Sequence, residues 1–498
     1  MTFHSYSFIF LFMPVMLTGW YLLRGRGRLL WLIGMSMLFY GLFSWRHLVL
    51  LCADAMAVYA LGAILDRCGQ ERRGIRRVIL TAGVLLQLGL LFSYKYSVFA
   101  AENINSLLGT ALPVREVLLP IGISFYAFSL ISFLADRYSG ELEQPELSGY
   151  LCFVLYFPKL LQGPIMRCGP FLAELGRVSR PDSARMLRGL LLFTIGLSKK
   201  VLLADALGRV TDVGFLHTYY LDSLTAVMVL LSYTFQLYFD FSGYCDMAEG
   251  VSILLGMELP PNFRSPYRSA SVRELWQRWH MTLSAFFIRY VYIPLGGSRR
   301  GRARTLVNVL IVFVLSGIWH GAGWTYLCWG LMQGLLVIWD DLGIIGVDDD
   351  RDRPPRVVIP RRAGIAWSFT MFVISLIFFR SADMTYALQF FRQLFKPAWP
   401  GYLFIIAREM ELPETYVLLQ AARLLAPGLE DVIRLVTWLV LLIVSFYIVM
   451  TRPSAFDIAN SLCGEETPAR RTITLYGLIL AWSILSLGSV SSFMYFQY

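Results

Sequence analysis

Apolar residues occur along this chain in long runs, separated by short segments in which arginine is frequent. A helix of about 20 apolar residues crosses the hydrocarbon core of a bilayer, and most of the runs come close to that length. They lie at 6–23, 29–45, 48–66, 77–99, 117–138, 186–206, 222–242, 305–320, 323–340, 364–381, 431–451 and 472–496. The pattern predicts an all-α, polytopic integral membrane protein with about twelve transmembrane helices.

Two further apolar runs, 148–165 and 283–297, do not fit as full crossings. The first is interrupted by two prolines, and basic segments lie on both sides of the second. Basic loops collect on the cytoplasmic side of a membrane, and a segment that enters and leaves on that side keeps nearly all of them there. Irregular backbone is tolerated at membrane depth where protein surrounds it. We therefore predict two re-entrant segments, an outside N-terminus, and cytoplasmic loops at 67–77 and 299–304.

The regions between the later runs have a different pattern. The segment 341–362 is rich in aspartate and arginine and is predicted to be a solvated loop. The stretch 382–430 alternates short apolar and charged patches, which is typical of amphipathic helices lying at the membrane interface.

Composition supports a membrane protein and excludes a chain of soluble domains. Apolar residues make up 57% of the 498 residues, charged residues 16%, and the mean hydropathy is +0.58. Soluble domains carry roughly a quarter charged residues. The net charge of +10 comes largely from short basic loops, as the orientation of membrane proteins requires. We therefore expect the lipid bilayer, and no nucleic acid, as a partner.

Several common kinds of site are not indicated. The seven cysteines are scattered without a CxxC pair, so neither a disulfide framework nor a structural metal site is expected. The sequence contains no P-loop, GxSxG or HExxH motif. This argues against ATP-driven transport, serine hydrolysis and the common zinc mechanisms. We expect no bound cofactor and no metal.

One histidine lies at the end of an apolar run, in the segment 316–334, SGIWHGAGWTYLCWGLMQG. An ionisable side chain inside a bilayer is costly, so His320 is by default a functional-site hypothesis. Ser316 lies one helical turn earlier on the same face and would help to orient the ring. A neutral imidazole accepts a proton at physiological pH, as a general base must. The alternative is a buried histidine that is satisfied by a backbone carbonyl.

A second histidine, His280, ends the segment RELWQRWH. At helical spacing Arg273, Trp276, Gln277 and His280 share one face. A cationic and aromatic face beside a cytoplasmic loop suits a phosphate-bearing donor such as coenzyme A. An interfacial aromatic belt with an arginine that extends to the surface explains the same residues equally well.

Carboxylates also occur in an otherwise apolar setting. Asp240 and Asp246 lie at or just after the end of the run 222–242 and need cationic partners, for which the arginines at 264 and 268 or a histidine are candidates. A structural ion pair and direct participation in the chemistry both remain open.

Two lysines present a similar choice. In the segment GLSKKVLLAD, Lys199 and Lys200 either extend to the membrane surface or pair with Asp205 or with a donor phosphate.

Taken together, the segments RELWQRWHMTLSAFFIRYVYIPLGG and SGIWHGAGWTYLCWGLMQG resemble the signature of the membrane-bound O-acyltransferase (MBOAT) family, in particular its bacterial alginate O-acetyltransferase branch. Similar stretches are LLPIGISFYAFSLISFLADRYSGE, YFPKLLQGPI, GLSKKVLLAD, YFDFSGYCDMAEG, IFFRSADMTYALQFFRQLF and the terminal SSFMYFQY. The resemblance implies one MBOAT membrane domain over 1–498, with the catalytic core at 117–340 and peripheral helices at 1–116 and 364–498.

The resemblance also implies the activity and the site. The family's WHG histidine corresponds to His320 and its RWH histidine to His280, so both are expected to be catalytic in acyl transfer to a hydroxyl. The expected substrate-binding residues are Arg273, Trp276, Trp319, Ser316, Asp240 and Asp246.

For substrates, the resemblance implies an acetyl group from cytoplasmic acetyl-CoA or an acyl-carrier thioester. The acceptor is expected to be a cell-envelope polysaccharide such as alginate, reached with a periplasmic acetyltransferase partner, and the location to be the bacterial inner membrane. D-alanyl transfer to teichoic acid and O-acetylation of peptidoglycan or cellulose are alternatives within the same fold.

Two alternatives belong to other classes of protein. Re-entrant segments and broken helices are also typical of transporters, so a glycan or lipid flippase fits the pattern. A scaffold subunit that recruits a separate acetyltransferase is the second. Neither needs a general base, so dependence of acyl transfer on His320 distinguishes both from the enzyme.

Overall fold

A computed structural model describes residues 1–69, 71–114, 117–178, 182–348, 355–426, 428–463 and 469–489. Over these ranges the protein is almost entirely helical, and the predicted all-α fold class is confirmed. Two short strands, Ile345–Gly346 and Val357–Val358, pair in parallel. Residues 349–354 of the predicted solvated loop and the terminal motif at 491–498 lie outside the described residues.

The helices are numbered in chain order. The first group is α1 (Met13–Leu22), α2 (Gly25–Gly41), α3 (Trp45–Arg67), α4 (Arg73–Leu91) and α5 (Ser97–Leu108). The central group is α6 (Ile123–Ser139), α7 (Leu147–Leu155), α8 (Phe157–Leu160), α9 (Cys168–Gly176), α10 (Ser183–Ser198), α11 (Asp205–Leu216), α12 (Ser223–Leu254), α13 (Val272–Trp276), α14 (Met281–Phe287), α15 (Arg302–His320) and α16 (Trp324–Leu342). The last group is α17 (Arg361–Arg380), α18 (Met384–Leu394), α19 (Gly401–Ala407), α20 (Tyr416–Leu425), α21 (Leu429–Thr451), α22 (Ala455–Leu462) and α23 (Arg470–Leu485).

Short π-helical turns interrupt or extend several of these helices. They lie at Phe8–Phe12, Phe92–Tyr96, Lys199–Ala204 and Ile288–Tyr292. A π turn inserts a residue into a helix and is found frequently at functional sites. The turn at Phe92–Tyr96 joins α4 to α5, and the turn at Lys199–Ala204 joins α10 to α11.

Seven helical segments in the described part of the chain are long and apolar enough to cross a membrane. They are Trp45–Arg67, Arg73–Leu108, Ser223–Leu254, Arg302–His320, Arg361–Arg380, Leu429–Thr451 and Arg470–Gly488. Each coincides with one of the predicted spans. The other five predicted runs fall on α1, α2, α6, α10 and α16, which are shorter or less apolar.

The two runs predicted to be re-entrant form short helices. The run 148–165 becomes α7 and α8, of 9 and 4 residues, broken at Tyr156. The run 283–297 begins in α14, which has 7 residues, and continues in the π turn Ile288–Tyr292. At 1.5 Å per residue none of these helices crosses a bilayer. Their return to the cytoplasmic side stays a prediction.

Helix α12 is the centre of the protein, because most of its residues are buried on every side. It packs against α10 through two glycine pairs, Gly189 with Gly250 and Gly196 with Gly243. A Cβ atom on Gly243 would lie 2.7 Å from the carbonyl oxygen of Gly196. Small residues let two helices approach closely in a membrane, so this contact fixes the distance between α10 and α12.

Gly243→Ala is therefore expected to destabilise the protein by about 1–3 kcal/mol, since overpacked side chains force backbone shifts. The measurement is thermal unfolding of the purified protein in detergent. Gly89→Ala on α4 is the matched control, because no atom lies within 4 Å of a Cβ placed there. Equal unfolding temperatures for the two variants would contradict the proposed contact.

Buried ion pairs join the same two helices. Lys200 Nζ donates to Asp240 Oδ1 at 2.6 Å and lies 2.8 Å from Asp205 Oδ1. Lys199 Nζ donates to Asp246 Oδ2 at 2.6 Å. The predicted pairing of Lys200 with Asp205 is confirmed. The prediction of arginine or histidine partners for the two α12 carboxylates is wrong, because the lysines of the π turn at Lys199–Ala204 approach them more directly.

Candidate active site

His320 is the last residue of α15, in a tight hairpin of two helices. Residues 321–323 form an extended link, and α16 starts at Trp324. The helices touch where Gly317 meets Gly330, since a Cβ on either would lie 2.4 Å from a backbone oxygen of the other helix. The glycines therefore set how closely α16 approaches His320.

Aromatic rings surround the His320 imidazole, and the residue is only 4% exposed. The ring centroids of Trp319, Trp329 and Phe379 lie 4.8, 5.1 and 5.1 Å from it, each ring nearly perpendicular or steeply inclined to the imidazole. Phe379 comes from α17, so three helices contribute to the cage. Such packing restricts the orientation of the imidazole and excludes bulk water.

Two neighbouring cavities lie at this end of α15, and the smaller one is lined by His320 itself. The smaller, of about 40 Å³, is lined by His320, Lys95, Ser124 and Leu161 among others. A second, of about 250 Å³, is lined by Lys95, Gly321 and Tyr326, and both share Lys95 and Leu119. A cavity of the smaller size has room for a water molecule or a hydroxyl group. These cavities lie at the end of α15 opposite to the basic loop 299–304.

His280 does not lie on a helix with Arg273 and Trp276, so the predicted shared face is wrong. Helix α13 ends at Trp276, and His280 has the left-handed backbone conformation (φ 44°, ψ 51°) just before α14. The chain turns here because backbone hydrogen bonds hold it against a distant loop, from Met281 N to Asn262 O (3.0 Å) and from Arg264 N to Arg278 O (2.9 Å).

Arg273 and Trp276 instead attach α13 to α16. The Arg273 guanidinium contacts Asp341, and its backbone N–H donates to Asp340 Oδ2 at 2.9 Å. Trp276 Nε1 donates to Gln333 Oε1 at 3.1 Å. Both side chains thus hold the polypeptide that leads to His280.

Asn262 fixes the protonation pattern of the His280 ring. Its Oδ1 faces the backbone N–H of Thr282 (3.2 Å), the Thr282 hydroxyl (3.0 Å) and His280 Nδ1 (3.2 Å). Because a backbone N–H can only donate, the facing atom is the amide oxygen, and Nδ1 of His280 must carry the proton. Nε2 is then an acceptor, and no described residue hydrogen-bonds to it. Burial lowers the pKa of His280, so the ring is neutral.

The sequence did not single out Asn262. The available signal was a lone amide after two prolines, flanked by apolar residues, and a buried amide needs several partners. The partners of Asn262 depend on the contact between residues 262–264 and 278–282. These two segments are too distant in the sequence for helical or strand spacing to predict that they meet.

Asn262→Ala is expected to lower the rate of acyl transfer about 10- to 100-fold, because the His280 ring loses the partner that selects its tautomer. The loss of a buried acceptor for Thr282 also costs about 1–3 kcal/mol of stability. Turnover and thermal unfolding are the measurements. Asn103→Ala is the control, since its side chain bonds to Trp324 at an exposed position. Full activity with unchanged stability would contradict this assignment of Asn262.

The Trp319 ring packs against both histidines. Its ring centroid is 5.9 Å from that of His280 and 4.8 Å from that of His320. Its Nε1 donates to the carbonyl oxygen of Ser124 at 3.4 Å. The structure therefore brings His280, Trp319 and His320 together, with Ser316 buried one turn earlier on α15.

Asp240 and Asp246 are buried in the lysine pairs of α12. The described contacts of these two aspartates attach one helix to another, and so do those of Arg273 and Trp276. A substrate-binding role for these four residues stays a prediction.

A larger pocket is lined by Thr282, two residues after His280. Its volume is about 870 Å³, and it is lined by Thr282, Arg167, Arg177 and Arg289 among others. Thr282 shares the Asn262 amide oxygen with His280. A groove of about 830 Å³ runs beside it along α4, α6 and α15 and ends at Trp319. Pockets of this size accommodate ligands of several hundred daltons.

The sequence matches the membrane-bound O-acyltransferase family over residues 32–382. It is 32% identical over 421 residues to the peptidoglycan O-acetyltransferase of Helicobacter pylori, covering 78% of each chain. It is 34% identical over 404 residues to the probable alginate O-acetylase of Azotobacter vinelandii, covering 79% of this chain and 78% of that protein.

A more distant match is the teichoic acid D-alanyltransferase of Bacillus subtilis, 28% identical over 244 residues, which cover 45% of this chain and 60% of that protein. The family match includes both histidines and the hairpin that carries His320. The chain, a multi-pass membrane O-acyltransferase in which one tryptophan ring packs against two buried histidines, belongs to the membrane-bound O-acyltransferase family.

Proposed function

We propose that the protein transfers an acetyl group from a cytoplasmic thioester, across the inner membrane, to hydroxyl groups of a cell-envelope polysaccharide. The main support is the placement of the two histidines. His280 shares the Asn262 amide oxygen with Thr282, which lines the pocket with three arginines. His320 lines a cavity at the opposite end of α15 from the basic loop 299–304, and the Trp319 ring packs against both histidines.

In the proposed reaction His320 is the general base. It removes the proton from the acceptor hydroxyl as the oxygen attacks the thioester carbonyl, the C–S bond breaks, and the donor leaves as its thiol. General base catalysis contributes about 10²–10⁴-fold to such a rate. The aromatic cage holds the imidazole in one orientation, which adds to the rate by positioning.

His280 would bind or orient the thioester. Its Nε2 is an acceptor inside a dry environment, and the neighbouring pocket presents arginines for the phosphates of acetyl-CoA or of an acyl-carrier protein. The predicted cytoplasmic orientation of the basic loops puts this pocket on the cytoplasmic side of the membrane. A periplasmic protein partner would accept the acetyl group and transfer it to polysaccharide that the membrane domain does not contact.

The likeness to peptidoglycan and alginate O-acetylases favours acetyl transfer, since these relatives cover most of the chain. D-alanyl transfer is the second candidate, and it is supported by the shorter match to teichoic acid D-alanyltransferases.

Sealed everted vesicles from a bacterial host lacking its own O-acetylase test the proposal. Vesicles carrying the protein are loaded with oligomannuronate or with peptidoglycan fragments, and [¹⁴C]acetyl-CoA is added outside. Alkali-labile label on the enclosed saccharide is expected. Label from a D-alanyl carrier thioester but not from acetyl-CoA would favour the second candidate. Transfer that proceeds only when donor and saccharide share one side would overturn transfer across the membrane.

A further inference from the structure

The C-terminal end of α15 is held by two consecutive side chains from another helix. An α-helix leaves its last four carbonyl groups without partners in the helix. In α15, Ile318 O accepts from the Tyr96 hydroxyl at 2.8 Å. Trp319 O and His320 O both accept from Lys95 Nζ, at 2.7 and 3.0 Å. Three carbonyl groups around the catalytic histidine are thus satisfied from outside the helix.

Lys95 and Tyr96 lie on the π turn Phe92–Tyr96 between α4 and α5. These two helices belong to the peripheral region predicted from the sequence, and nothing in the sequence pattern connected them to His320. Lys95 Nζ also lies 3.4 Å from the Ser124 hydroxyl. The same Ser124 residue accepts from the Trp319 indole through its carbonyl group.

The surroundings of Lys95 strengthen this attachment. A hydrogen bond is electrostatically stronger away from water, and a buried carbonyl group that loses its donor is destabilising. Lys95 also lines the cavity beside His320 and the neighbouring cavity beside Gly321, so its position limits how far the backbone of residues 319–321 can move.

We propose that Lys95 is the positioning residue for His320, an inference that rests on the proposed function of His320 as the base. The Lys95 Nζ group binds the backbone on both sides of the histidine Cα atom and thereby sets the direction in which the imidazole points. A displacement of about 1 Å at a catalytic group costs on the order of 10²-fold in rate.

The test compares Lys95→Met, Lys95→Arg, Tyr96→Phe and His320→Gln. Methionine keeps most of the volume and loses the charge and the donors, whereas arginine keeps both. The first readout is ester-linked acetate released by mild alkali from the envelope of a host that lacks its own O-acetylase. The second is the rate at which diethyl pyrocarbonate modifies His320 in the purified protein, mapped by mass spectrometry, which requires neither donor nor acceptor.

We expect Lys95→Met to lower ester formation about 10²-fold and to change the modification rate several-fold, Lys95→Arg to restore both, and Tyr96→Phe to have a smaller effect on both. Wild-type ester formation or an unchanged modification rate in Lys95→Met would overturn the inference. So would a loss of activity in both lysine variants with a normal modification rate, which would indicate that Lys95 binds an anionic acceptor. Full ester formation in His320→Gln would instead overturn the proposed base.

Discussion

Replacement of His320 by glutamine is expected to reduce acyl transfer by about 10²–10⁴-fold, the range that a general base contributes. Glutamine fills much of the space between Trp319, Trp329 and Phe379 and keeps a polar group there, but it does not take up a proton at physiological pH. The measurement is transfer of [¹⁴C]acetyl groups in vesicles, with the amount of folded protein determined by size-exclusion chromatography.

His217→Gln is the matched control for this prediction. His217 follows α11, and its Nδ1 hydrogen-bonds to the carbonyl group of Val213 at 3.0 Å, so the same substitution removes an imidazole that is outside the proposed site. Equal activity of the two glutamine variants would exclude His320 as the base and would return the flippase and scaffold alternatives to consideration.

Replacement of Lys200 by methionine is expected to destabilise the protein more than any other single change considered, by about 3–5 kcal/mol. Lys200 lies between the carboxylates of Asp205 and Asp240 in the interior of the bundle. Without the cation, two buried negative charges face each other, and each must lose its charge or draw in water. Thermal unfolding in detergent, followed by loss of the monodisperse peak, is the measurement.

Two further variants make this second prediction decisive. Lys396→Met changes an exposed lysine and should leave unfolding unchanged. In the triple variant Lys200→Met, Asp205→Asn and Asp240→Asn the buried charges are removed together, and stability should partly return, because replacing a whole buried ionic group is far less costly than removing one partner. A Lys200→Met protein that unfolds at the wild-type temperature would contradict the structural importance of this cluster.

The sequence correctly predicted those features of the fold that depend on residues close to one another in the chain. A run of apolar residues is by itself enough to predict a helix that crosses a bilayer, and seven of the predicted runs coincide with long apolar helices. The prolines in 148–165 correctly indicated that this run does not cross as one helix. The pairing of Lys200 with Asp205 followed from their closeness in the chain.

The errors arose where contacts depend on distant parts of the chain. Helical spacing placed Arg273 and His280 on one face, but α13 ends after five residues because the following turn is bonded to the loop around Asn262. The candidate partners for Asp240 were the following arginines or a histidine, whereas its partner Lys200 lies 40 positions earlier and is brought near by the glycine contacts of α10 and α12. The spacing of residues along a single helix does not predict contacts of this kind between helices.

The left-handed backbone of His280 has a consequence for which residues this position accepts. Residues with a Cβ atom pay about 1 kcal/mol or more for that conformation, glycine pays almost nothing, and asparagine is tolerated better than most. The side chain acts in the opposite direction, because the imidazole is fully buried and hydrogen-bonds to Asn262 Oδ1. A smaller residue would relax the backbone, leave a cavity and remove a partner of that oxygen. Backbone strain and ring packing are thus opposed at a single residue, and substitution there trades one against the other.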